Sequence, residues 1–76
     1  MNPGMKAIGL CLKSKRLASD MTQADMAKRM DVSKNTISNW ETGERCLDLQ
    51  KAWNMADALG LSIDELVGRD LYQKNN

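Results

Sequence analysis

Apolar residues recur along this chain in short bursts, three and four positions apart, separated by polar or glycine-containing breaks. Leu49, Ala52, Trp53, Ala56 and Leu59 follow the i, i+3, i+4, i+7 spacing of one helical face. Met26, Ala27 and Met30 mark a second such face, Ile37 and Trp40 a third, and Ile8, Leu12 and the aliphatic stem of Arg16 a fourth. β-branched residues are scattered and never alternate over a strand length, while Met, Leu, Ala, Lys, Gln and Glu dominate, which favours helices. Both tryptophans and the methionines are expected in the core, the first as large apolar bodies and the second as gap fillers.

The bursts carry consistent punctuation. Thr22, Ser33, Asp48 and Ser62 each stand one residue before a burst, as N-caps do. Asp25 and Glu65 lie three residues after Thr22 and Ser62, the spacing of a capping box. Apolar pairs across each start, such as Met21 with Met26 and Val32 with Ile37, suit hydrophobic staples. Gly43, Gly60 and Gly68 fall where a helix ends in a left-handed residue. These signals predict five helices, at about 4–18, 23–30, 34–42, 49–59 and 63–67, in an all-α fold. Residues 1–70 are expected to form the domain and 71–76 a polar C-terminal tail.

Composition narrows the chemistry. With 76 residues and 42% hydrophobic content, one small core fits and a second does not. Histidine is absent, which removes Ser–His and Cys–His nucleophile pairs and histidine metal sites. Cys11 and Cys46 form no C-x-x-C pair and are read as reduced thiols of a cytoplasmic protein. Neither a catalytic set nor a phosphate loop occurs, so no enzyme, metal, cofactor or small-molecule ligand is expected. No apolar run reaches the roughly 18 residues of a membrane span, and Met1 to Leu12 does not read as a signal peptide. The net charge of +1 hides an asymmetry. Residues 1–40 carry seven basic and three acidic side chains, net +4, and residues 41–76 carry four and seven, net −3. A polyanion on one side of the molecule suits that division.

The stretch from Gln23 to Thr42 is the informative one. It places two short helices around a tight turn near Asp31, with Ala27 small where the two must approach. Val32, Ile37 and Trp40 anchor the second helix inward. Lys34, Asn35, Ser38, Asn39 and Thr42 then share one outward face that is polar, short-chained and rich in amides. Asn can bond an adenine edge in two places, and Lys can reach guanine O6 and N7. That is the chemistry of a helix reading the major groove, braced by the helix before it.

At this level of detail the chain resembles the phage-repressor/Cro-type (XRE-type) helix-turn-helix domain, of lambda-repressor-like fold. The matching runs are Ile8-Gly9 with Leu12-Lys13 and Arg16, then Met21-Thr22-Gln23-Ala24-Asp25-Met26-Ala27. They continue with Val32-Ser33-Lys34-Asn35-Thr36-Ile37-Ser38-Asn39-Trp40-Glu41-Thr42-Gly43 and with Ala56 through Leu66, together covering about residues 5–68. The resemblance implies that Lys34, Asn35, Ser38 and Asn39 read bases. It implies phosphate contacts from Gln23, with Thr22, Ser33, Thr36 and Thr42 as further candidates; for Thr22, capping alone is the other reading. Arg16 and Glu41 match a buried ion pair, the alternative being Arg16 on a phosphate. The chain departs from the family at Asp20 and Asp31, where glycine is usual, and at Glu44-Arg45-Cys46-Leu47, which lacks the usual loop proline. Asp tolerates left-handed geometry, so both aspartates are read as tolerated.

The expected function is sequence-specific double-stranded DNA binding by a transcriptional regulator, with repression the commoner outcome in the family. A single module buries about 600–1,000 Å², so a homodimer on a palindromic operator is expected. Leu61, Ile63, Leu66 and Val67, with Leu71 and Tyr72 as additions, are the candidate dimer surface; the alternative is that they close the domain's own core. The competing functions are a protein-interaction module on the same fold and an antitoxin that reads DNA and also binds a toxin. No second domain fits in 76 residues, so the chain reads as a compact Cro-like or prophage-type regulator or as one domain of a longer protein.

Overall fold

The computed structural model describes residues 4–69. Helices α1 (Met5–Ala18), α2 (Gln23–Met30), α3 (Lys34–Thr42), α4 (Leu49–Leu59) and α5 (Ile63–Val67) follow in order, with no strand among the described residues. The tail from 71, including Leu71 and Tyr72, and the domain limits at residues 1 and 70 lie outside the described residues.

The punctuation reads as local bonding. Thr22 Oγ1 accepts from the Asp25 amide while the Thr22 amide donates to the Asp25 carboxylate, a closed capping box. Ser62 and Glu65 make the same reciprocal pair. Ser33 caps α3 and Asp48 caps α4 through the amides of Thr36 and Lys51. At the other ends, Gly43, Gly60 and Gly68 are left-handed. So are Asp20 and Asp31, each at φ 58°, which places aspartate in the geometry where the family uses glycine.

Leu12, Met26, Ile37, Met55 and Leu66 are the largest fully buried side chains, and Ala27, Trp40, Ala52 and Ala56 complete the core. α1 lies across α3 and α5, and α2 bridges α3 and α4. The α1–α3 crossing is close because Gly9 has no side chain: a Cβ there would meet the Glu41 carbonyl oxygen and would fall 2.6 Å from that of Trp40. Gly43 is held to glycine twice, by φ 84° and by the α1 backbone, where Lys6 Cα would lie 2.8 Å from a Cβ.

Three expectations are corrected. Trp53, expected inward, is 59% exposed, and Leu49 on the same expected face is 73% exposed, whereas Met55 is fully buried. Seven of the residues in α4 are apolar (Leu49, Ala52, Trp53, Met55, Ala56, Ala58 and Leu59), so they surround most of the helix. The spacing therefore fixes the helix but not which side faces in, and the contacts with α2 and α5 turn Met55 inward. Leu66, offered as a dimer residue, is fully buried in the core and has no surface to give a partner. Leu61, Ile63 and Val67 are half-buried and packed against that core.

Candidate nucleic-acid interface

The site is built on α2, its left-handed turn and α3. The turn at Asp31 is closed by amides of Asp31 and Val32 donating to the carbonyls of Lys28 and Ala27, at 3.3 and 3.0 Å. Val32 and Ile37 then draw α3 onto α2, with Ala27 buried between the two helices as its size requires.

Behind α3 lies a buried charged network. Arg16 Nε donates to Glu41 Oε2 at 2.6 Å and Nη2 to Oε1 at 3.1 Å, a two-point pair buried between α1 and α3. Its Nη1 donates to the Met21 carbonyl at 2.7 Å, so the guanidinium also ties down the loop before α2. Gln23 Nε2 donates to Glu41 Oε1 at 3.0 Å. No buried side-chain nitrogen or oxygen among the described residues lacks a partner. A buried ion pair stabilises only when its remaining donors and acceptors are satisfied, and here they are. The network makes the pose of α3 relative to α1 and α2 depend on three named side chains.

The opposite side of α3 faces out. Lys34 and Asn35 are exposed, Ser38 and Asn39 half-buried, and Thr42 exposed at the end of the same face. Ile37, Trp40 and Glu41 are buried on the other side. The Asn39 carbonyl accepts from the amides of Glu44 and Arg45, at 2.9 and 3.2 Å, and from the Thr42 hydroxyl at 3.3 Å. That bonding folds the proline-free loop back under the end of α3, with Arg45 and Cys46 exposed.

The phosphate candidates separate by what holds them. Thr22, Ser33 and Thr36 are committed to capping: the Ser33 and Thr36 hydroxyls lie 2.8 Å apart and the Thr36 amide donates to Ser33 Oγ. A hydroxyl keeps further capacity after such a bond. Gln23 is half-buried and spends one amide hydrogen on Glu41, which sequence reasoning missed; the spacing of residues 23 and 41 carries no signal for it. An open groove at the start of α2, lined by Arg16, Met21, Thr22, Gln23 and Lys34 among others, brings Thr22 and Gln23 beside Lys34 of α3. The two capping carboxyls, Asp25 and Glu65, are held below the usual carboxylate range, first by the backbone amides of Thr22 and Ser62 and then by the hydroxyls of the same residues. Cys11 is half-buried and Cys46 exposed, both free thiols. No helix among the described residues is long and apolar enough to cross a membrane.

A helix-turn-helix family model matches residues 12–66, which include this whole arrangement. The chain belongs to the phage-repressor/Cro-type helix-turn-helix family. It is 40% identical over 64 residues to the cryptic phage CTXphi transcriptional repressor RstR of Vibrio cholerae, covering 84% of this chain and 57% of that protein. It is 29% identical over 70 residues to the transcriptional regulator ImmR of Bacillus subtilis, covering 92% of this chain and 55% of that protein. The chain thus spans a little over half the length of these two relatives. Among solved structures, the clp gene regulator ClgR of C. glutamicum superposes with a TM-score of 0.80 at 25% identity, covering 99% of this chain and 100% of that one.

Proposed function

We propose that this chain is a sequence-specific DNA-binding transcriptional regulator, a repressor of prophage type, with residues 1–70 as the binding unit. One observation carries the reading: the amide-rich face of α3 points outward while its opposite side is locked to α1 and α2 by buried contacts. In this reading Lys34, Asn35, Ser38 and Asn39 meet base edges, and Thr22, Gln23, Ser33, Thr36 and Thr42 meet phosphates. The half-buried Asn39 sits at the edge of that face and Asn35 nearer its centre. Similarity to the repressor RstR supports repression. The action is binding rather than turnover, it needs no cofactor, and it takes place in the cytoplasm of a bacterial host. Two copies share a palindromic operator, because one short helix offers too few base contacts for useful discrimination.

Selection of bound sequences from a random duplex pool tests this. The expected product is a two-fold symmetric motif whose half-sites are centred about one helical turn, roughly 34–36 Å, apart. Affinity for it should fall with salt at a log–log slope of about −0.9 per phosphate contacted. A pool that returns no enriched sequence overturns the reading.

A further inference from the structure

α1 carries four basic side chains and no acidic one. Two are engaged within the molecule: Arg16 with Glu41, and Lys15 with the Glu65 carboxylate of α5, which it helps to keep ionised. Lys6 and Lys13 are exposed and have no carboxylate within ion-pair distance among the described residues. They alternate with two exposed apolar side chains, Leu10 at 61% and Leu17 at 54%. The four positions step by four, three and four residues. At 100° per residue they fall within about 60° of arc, a stripe about 17 Å long over three turns. Gly9, Leu12 and Arg16 are the buried residues of this helix, so the stripe lies to one side of its packed face. Steps of four and three form the seam along which one helix packs on another, at about +20°.

We infer that α1 docks a helix of another protein across Lys6, Leu10, Lys13 and Leu17, and that this helix presents acidic and apolar side chains alternately at the same spacing.

Charge selects the occupant. A second copy of α1 brings two more lysines to the seam and no carboxylate; run antiparallel, it sets Lys6 against Leu17 and Lys13 against Leu10, each ammonium pressed on an apolar group. Duplex DNA pairs the lysines but leaves both leucines facing phosphates. A lipid surface takes up a broad apolar face, not a stripe in which every second position is charged. An acidic, leucine-bearing helix satisfies all four positions. A seam this short lies at the small end of interface sizes, so the complex is a transient one in which charge sets partner choice. The position of Leu17 adds a consequence, which rests on the reading that the chain binds DNA. Leu17 is also a wall of the groove that holds Thr22, Gln23 and Lys34. Asp20 lines that groove too and offsets Lys34, so an acidic helix gains nothing by entering it. A phosphate held by Thr22 or Gln23 would share the groove with Leu17, and like charge then sets the docked helix against the DNA. Partner and operator therefore weaken each other's binding.

The test uses the full chain and two synthetic peptides of about 20 residues, long enough to be helical in isolation. One carries Glu and Leu alternately along a single four-three-four stripe, and the other carries Lys in place of Glu. Backbone amide shifts follow each titration for wild type, Leu10→Glu, Lys13→Glu, the Lys6→Glu, Lys13→Glu double variant, and Leu49→Glu on α4 as comparison; every substituted position is exposed. The Glu–Leu peptide should shift α1 of wild type and bind Leu10→Glu and Lys13→Glu about tenfold or more weakly, with Leu49→Glu within about twofold of wild type. The double variant should exchange its preference and take the Lys–Leu peptide, a gain that an unfolded chain cannot give. Equal affinity of wild type for the two peptides, shifts confined to helices other than α1, or binding that survives both Leu10→Glu and Lys13→Glu overturns the assignment. So does a wild type that ignores the peptides while phosphatidylglycerol vesicles shift α1. On the selected operator, saturating Glu–Leu peptide should lower wild-type affinity by about fivefold or more and leave that of Leu10→Glu unchanged. Peptide docking without any effect on DNA overturns the mutual weakening. Should no duplex bind at all, the DNA reading fails separately, and the peptide titrations alone decide the docking.

Discussion

Arg16 is the side chain whose loss the fold can least absorb. It satisfies both oxygens of Glu41 and the Met21 carbonyl from one buried guanidinium. Arg16→Ala strands a buried carboxylate, and the expected cost is about 3–5 kcal/mol, enough to unfold or nearly unfold a domain of this size. A thermal melt unchanged within error would refute this. Asp31 is the opposite case. At φ 58° it occupies a conformation that costs most L-residues about 1–2 kcal/mol. Asp31→Gly should leave stability unchanged or raise it by up to about 1 kcal/mol in denaturant titration; a clear loss would mean that the Asp31 side chain does more than tolerate its backbone. The ion pair and both left-handed aspartates were legible before the structure, from the family resemblance. The Gln23 bond to Glu41 was not, because it depends on how three helices come together.

The elements themselves were legible for a local reason. Each helix start is written as a capping residue followed three positions later by the amide it binds, and that chemistry needs no knowledge of the tertiary fold. Facing is a different matter. α4 is apolar around most of its circumference, and only its packing partners choose Met55 over Trp53 as the inward residue. The close crossing of α1 over α3 went unread for the same reason, although Gly9 belonged to a recognised run. Gly9→Ala should destabilise by about 1–3 kcal/mol, since the new methyl meets two carbonyl oxygens of α3. A melting temperature equal to wild type would show that α1 can shift without penalty. The capping boxes add a pH dependence. Asp25 and Glu65 ionise more readily in the folded chain than in the unfolded one, so the stability they contribute is present at neutral pH. That contribution is lost as the pH falls through the ordinary carboxylate range toward their lower folded values. Melting should therefore decline below about pH 5, and the Asp25→Asn, Glu65→Gln double variant should start lower and decline less steeply. Equal slopes in the two proteins would assign the acid sensitivity to other groups.

At the scale of the whole molecule, a compact scaffold holds one short helix so that its polar face is unobstructed. The basic N-terminal half supplies that helix and its brace, and the acidic C-terminal half supplies α4 and α5. The outward face of α3 was legible in the sequence as an amide-rich stripe. The most direct measurement is the affinity of wild type and Asn35→Ala for the selected operator and for its single-base variants, at several salt concentrations. Loss of about 1–3 kcal/mol, with preference relaxed at one base pair and the salt slope unchanged, is the predicted result. An Asn35→Ala chain that binds the operator like wild type, with every base preference intact, would contradict the placement of α3 against the bases.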